Sequence, residues 1–99
     1  MRVIAKRTLR EFWQQPGYAD SEGPLKAWFA EAIEANWDNP ADVKQHYSSA
    51  SVLKGGRLVF NIAGNKYRLV VKVNYETKIA FIRFVGTHNQ YDEIDAEVI

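Results

Sequence analysis

Cysteine is absent from this chain of 99 residues, and histidine is nearly so, His46 and His88 being the two present. Without cysteine there is no disulfide framework, no thiolate metal site and no thiol nucleophile, a usage suited to a reducing cytoplasm. With two histidines a conventional zinc site would have to recruit carboxylates, so chemistry without a metal or other cofactor is expected. Long apolar runs are also missing. Met1 to Arg10 carries four basic residues with no hydrophobic stretch behind them, which is not the signal-peptide pattern, and no segment is apolar enough to span a bilayer. A cytoplasmic protein with no membrane partner is expected. A glycine-rich phosphate loop, a Ser-His-Asp arrangement and paired carboxylates are lacking too, which leaves hydrolases of those kinds without support.

What is present is a globular balance, with 46% hydrophobic and 25% charged residues. A chain this short cannot divide its apolar residues between two stable cores, so residues 1–99 should form one domain. The net charge of +1 hides a strong segregation. Met1 to Val43 holds five basic and seven acidic residues, and Asn89 to Ile99 holds four acidic residues and no basic one. Between them, Lys44, Lys54, Arg57, Lys66, Arg68, Lys72, Lys78 and Arg83 face the single acid Glu76. A basic block of this density invites a polyanion.

Periodicity predicts an α+β fold. Arg2 to Ala5 reads as an opening strand, and a helix starting near Thr8 carries Leu9, Phe12 and Trp13 on one face until Pro16-Gly17 stops it. A longer helix begins at Ser21 to Pro24, with Ser21 as its cap and Pro24 in its first turn. Its stripe of Leu25, Trp28, Phe29, Ala32, Ile33 and Trp37 assigns these aromatics to the core rather than to base stacking. Asn39-Pro40 can cap a short turn through Val43, and the polar stretch Gln45 to Gly56 reads as a surface loop. Period-two alternation then takes over. Leu58 to Ile62 and Tyr67 to Tyr75 form a hairpin across Ala63-Gly64-Asn65-Lys66, and Ile79 to Val85 forms a last strand ending at Gly86. The expected architecture is a strand, two helices and a three-stranded antiparallel meander with the helices packed on one face. Arg68 and Arg83 then share the opposite face, where their guanidiniums stay solvated and make a cationic platform.

Three blocks, Trp37-x-x-Pro40-Ala41-Asp42-Val43-Lys44, Val59-Phe60-Asn61-Ile62-x-Gly64-Asn65-Lys66-Tyr67-Arg68-Leu69 and Gly86-Thr87-His88-x-x-Tyr91-Asp92, occur in this order. Together they resemble the HigB-type toxins of the RelE-like superfamily, over nearly the whole chain. The resemblance implies a RelE-like fold and a toxin of a type II toxin-antitoxin system that cuts messenger RNA on the translating ribosome. It also implies a cognate antitoxin with a helix-turn-helix domain, through which alone the pair would touch DNA. One departure is the acidic tail of Asp92, Glu93, Asp95 and Glu97, expected on electrostatic grounds to lie away from RNA.

Metal-free RNA cleavage uses the substrate's own 2′-hydroxyl, and needs a base for its proton, an acid for the departing 5′-oxygen and cations for the phosphoryl oxygens. His88 can take either proton role, since imidazole titrates near ~6.5. Tyr91 can donate a proton or stack on a base if a helical turn begins at Asn89. Arg68 and Arg83 suit the phosphate, because a planar fork holds two oxygens and stays charged. Lys54, Arg57, Lys66 and Lys72 are expected to track RNA phosphates. His46, beside Tyr47, and Asn61 are weaker candidates for the site, and Asp92, which could orient His88, is expected instead to cap the turn that follows it. The competing reading is a module that binds RNA or protein without cutting and acts with an antitoxin in autoregulation. The nuclease reading requires Arg68, Arg83 and His88 to converge on one phosphodiester.

Overall fold

The computed structural model describes residues Met1–Ile99. Alternating apolar residues give strands β3 (Arg57–Ile62) and β4 (Tyr67–Asn74), and β5 (Ile79–Thr87) completes the expected meander. Two further strands join it. β1 (Arg2–Ile4) lies parallel to β5, Val3 opposite Ala80, and β2 (Ser51–Val52) pairs with β3 from inside the stretch expected to be loop. The five-stranded sheet runs β1-β5-β4-β3-β2. Ser51 and Val52 carry too little pattern to read as a strand; they are one because β3 otherwise leaves a free ladder edge.

Helices α1 (Lys6–Trp13), α2 (Glu22–Glu34) and α3 (Pro40–His46) supply the residues that cover one face. Leu9, Phe12, Trp13, Leu25, Trp28, Ala32 and Val43 pack there against Leu58, Phe60, Ile62, Tyr67, Leu69, Val71, Val73 and Ala80. Asn39 caps α3 as its position suggests, its side chain accepting from the Asp42 amide at 3.0 Å.

Two helical expectations need correction. Ser21 does not cap α2: a 3-10 turn over Ala19–Ser21 leads straight into the helix, and the buried Ser21 hydroxyl donates to the Tyr18 carbonyl at 2.6 Å. Trp37 does not belong to the α2 stripe, since the backbone turns extended at Ala35; it is nevertheless buried, between Phe60 and the aromatic pair His46 and Tyr47. Ile33, counted in the same stripe, is 44% exposed. Helical spacing alone cannot tell the middle of an apolar stripe from its rim.

The main correction concerns parity in β5. Val70 pairs with Phe84 but Val71 pairs with Ile82, so Arg83 is the extra residue of a β-bulge. Past the bulge each side chain of β5 changes face. Phe84, which strict alternation with an outward Arg83 puts on the helix side, joins Val59 and Val70 on the outer side, and Val85 packs inward against the main core. The outer face is therefore not a bare cationic platform. Its apolar centre of Val59, Val70 and Phe84 is covered by Tyr91 of α4 (His88–Asp92) and by Ile94, Ala96 and Ile99 of the tail.

Candidate active site

β4 starts at Tyr67 opposite the last residue of β5, Thr87, and from Thr87 the chain turns at once into α4. The turn is built by a capping box. Thr87 accepts from the Gln90 amide at 3.1 Å, and the Gln90 side chain accepts from the Thr87 amide at 2.9 Å. α4 thus begins at His88, one residue earlier than expected, and His88 occupies its first position.

Arg68 lies on the outer face with Gly86 of β5 as one cross-strand partner and Asn61 of β3 as the other. His88 is two residues past Gly86, so the guanidinium-bearing strand and the imidazole-bearing turn share one end of the sheet. Arg83 lies three residues back along β5, about 10 Å at the usual rise per residue. It is exposed, with its guanidinium carbon 5.6 Å from the centroid of the Phe81 ring. No hydrogen bond joins Arg68, Arg83 and His88. Arg68 instead donates to the Asn65 carbonyl at 3.1 Å, within the β3–β4 turn.

The imidazole has a partner in Asp92, which faces it as in the alternative to the expected capping role. His88 Nε2 stands 3.5 Å from Asp92 Oδ1, one helical turn on, with both side chains more than half exposed. Thr87 is the cap, so Asp92 is free to face the imidazole. Tyr91 is half-buried in the outer cluster, its ring centroid 6.5 Å from that of Phe84.

The remaining cations fare unevenly. Lys54 is exposed, and Lys72 is half-buried on the outer face opposite Phe81. Arg57 is engaged, donating to the Ile99 carbonyl at 2.9 Å from Nε and 2.7 Å from its second terminal nitrogen. Lys66 is paired with Asp20, which also accepts from the Tyr67 hydroxyl at 2.5 Å. Lys66 and then Tyr67 hold the Asp20 carboxyl below its ordinary value, and Asp20 raises Lys66 in return. Burial, then the Asp20 carboxylate, pushes the Tyr67 phenol up. The acidic tail is also closer than expected. Ile94, Ala96 and Ile99 lay it across the outer sheet face because Val59, Val70 and Phe84 offer the apolar surface it needs, and this burial outweighs the charge argument that would send it elsewhere.

His46 is not brought to this end. Its ring stacks on Tyr47 with centroids 4.4 Å apart and its Nε2 lies 3.6 Å from Glu31, on the helix side. Burial and the Glu31 carboxylate together push the Tyr47 phenol up. The residues overlooked in the sequence are Gln90 and Tyr18, joined by a hydrogen bond from the Gln90 amide nitrogen to the Tyr18 hydroxyl at 3.2 Å. Thr87-x-x-Gln90 is a legible capping-box pattern. Nothing in the sequence points to Tyr18. No group of three or more His, Cys, Asp or Glu side chains could hold a metal ion, and no helix is long and apolar enough to cross a membrane.

Comparison with known proteins gives this geometry a context. The mRNA interferase toxin HigB of Escherichia coli K12 is 34% identical over 94 residues, which cover 93% of this chain and 88% of that protein. The mRNA interferases HigB of Escherichia coli O157:H7 and Shigella flexneri match with the same identity and coverage. A family model described as the RelE-like toxic component of a toxin-antitoxin system matches residues 21–94, the stretch that runs from the start of α2 through α4. On both grounds the chain belongs to the HigB family of RelE-like toxins.

Proposed function

We propose that residues 1–99 act as one type II toxin domain that cuts messenger RNA on the translating ribosome until an antitoxin partner silences it. Support comes from the family, from the relatives named mRNA interferases, and above all from one observation. The Arg68 strand and the His88 turn meet at the same end of the sheet, through the Arg68–Gly86 pair.

In this reading the 2′-oxygen of one nucleotide attacks its own 3′-phosphorus as the P–O5′ bond to the next nucleotide breaks. The products are a 2′,3′-cyclic phosphate and a free 5′-hydroxyl. His88 and Tyr91 divide the two proton transfers, and Arg68 neutralises the phosphoryl oxygens, a role in which removal of one donor costs about 10²–10³ in rate. Arg83, the bulge residue of the neighbouring strand β5, takes up further phosphate charge. Asp92 orients the imidazole it faces. Lys72 and Lys54 track the flanking backbone, whereas Arg57 and Lys66 contribute less because each is already engaged within the protein. The antitoxin partner carries a helix-turn-helix domain, and the toxin meets DNA only through it. The work is done in the cytoplasm, where translating ribosomes are.

Incubating the purified protein with programmed ribosomes tests the reading. Wild type should yield cut message with cyclic phosphate ends, and Arg68→Ala or His88→Ala should lower cleavage about 100-fold or more while melting within a few degrees of wild type. RNA that is retained but left whole by the wild type would establish a binding module in place of a nuclease.

A further inference from the structure

The Gln90 side chain makes contacts in three directions at the junction of β5 and α4. Its oxygen accepts from the Thr87 amide at 2.9 Å, which fixes the turn on which His88 stands. Its nitrogen donates to the Tyr18 hydroxyl at 3.2 Å, a link across 72 positions of sequence. Tyr18 is itself held, stacked on buried Phe12 with ring centroids 4.6 Å apart and 9° between planes. The third contact is steric. A β-carbon on Gly86 would stand 2.7 Å from the Gln90 oxygen and 2.6 Å from the Phe84 ring, so the chain has a glycine where the Gln90 side chain and Phe84 close over the strand.

Gly86 is also the cross-strand partner of Arg68. One side chain therefore touches the turn before His88, the residue opposite Arg68 and, through Tyr18, the main core. His88 makes no hydrogen bond that would fix it against the sheet; its contact with Asp92 lies within α4, which is only five residues long. A helix this short has little stability of its own and takes its place from tertiary contacts.

We propose that Gln90 is a positioning residue for the cleavage reaction, registering α4, and with it His88 and Tyr91, against Arg68 through its paired bonds to Thr87 and Tyr18. The proposal rests on the reading of His88 and Tyr91 as groups that touch RNA. Gln90 itself need not meet substrate. Its loss lets the α4 turn drift relative to β4, and misplacement of reacting groups by an ångström is enough to cost about 100-fold in rate.

The test is Gln90→Met, which keeps the length of the side chain and removes both hydrogen bonds, with Tyr18→Phe and the double variant. Each is assayed for message cleavage on programmed ribosomes, with kcat and KM separated and the folded fraction measured by circular dichroism. The expected result is a kcat lower by about tenfold for Gln90→Met with KM within about twofold, at unchanged folded fraction. Tyr18→Phe should show a smaller loss in kcat, and the double variant should be no worse than Gln90→Met, since both changes break one connection. The proposal is overturned if Gln90→Met cleaves like wild type, if its loss tracks the folded fraction, or if the two single losses multiply. Wild-type protein that leaves message whole overturns the nuclease reading and this proposal with it. Wild type that cuts, beside a Gln90→Met that cuts equally, overturns this proposal alone.

Discussion

The two faces of the one sheet are built for different ends. The helix side buries Leu58, Phe60, Ile62, Tyr67, Leu69, Val71, Val73 and Ala80 under three helices, in a single connected core. The outer side buries Val59 and Val70 under a short helix and a tail, leaving Arg68 and Lys72 half-exposed and Arg83 open to water. Apolar area removed from water is the main source of stability, so the fold rests on the first face. That frees the second to carry solvated charge at little cost to folding.

The largest expected effect breaks the comparison if it fails. Phe60→Ala removes a ring wedged among Trp28, Trp37 and Tyr47 and should destabilise the protein by about 3–5 kcal/mol in urea unfolding. Ile94→Ala on the outer side takes away a half-buried side chain and should cost about 1–2 kcal/mol. An equal or greater loss for Ile94→Ala would mean that the tail is as much part of the core as the helices are.

A smaller effect sharpens the electrostatic half of the contrast. Lys72→Ala should reduce the slope of log affinity for single-stranded RNA against log salt by about 0.7, the share of one phosphate contact. Lys66→Ala should change it less, because Asp20 already balances that ammonium. Equal changes for the two lysines would show that the Asp20 pair opens when RNA binds.

The smallest effect is one of pH. Lys66 and the Tyr67 hydroxyl hold the Asp20 carboxyl below its ordinary value of 3.8, so their contribution to stability is present above that value and lost as pH falls through the lower folded value. Lys66 is raised above its ordinary 10.5, so its share persists below that value and is lost only as pH climbs through the higher folded one. Asp20→Asn should therefore lower the melting temperature slightly at neutral pH, with the gap to wild type closing in acid. A gap that stays constant down to pH 2 would trace the loss to packing instead of charge.

Much of this could be read before any coordinates. Alternation in residues 57–75 gave the hairpin with its turn, and helical spacing placed Leu9, Phe12, Leu25 and Trp28 in the core. The charge block pointed to a polyanion, the family resemblance to RNA, and the His88 and Tyr91 motif to the end of β5. The bulge at Arg83 was not legible, because strict alternation over residues 79–85 is the simplest pattern and no glycine or proline marks its interruption. The pairing of β1 with β5 was not legible either, since nothing in three residues names their neighbour. Arg57 and Lys66 read as free cations because a formal charge count is blind to a carbonyl 42 residues away and a carboxylate 46 residues away.

The sequence alone determined the α+β class, most of the helix-side core and the residue types available for RNA chemistry, because each follows from local periodicity and from side-chain ionisation. Tertiary structure decided which charges remain unpaired, which face Phe84 joins, where the acidic tail lies and what fixes the turn that carries His88. Those outcomes depend on contacts between residues far apart in the chain, where burial and hydrogen bonding compete over distances that no window of sequence spans.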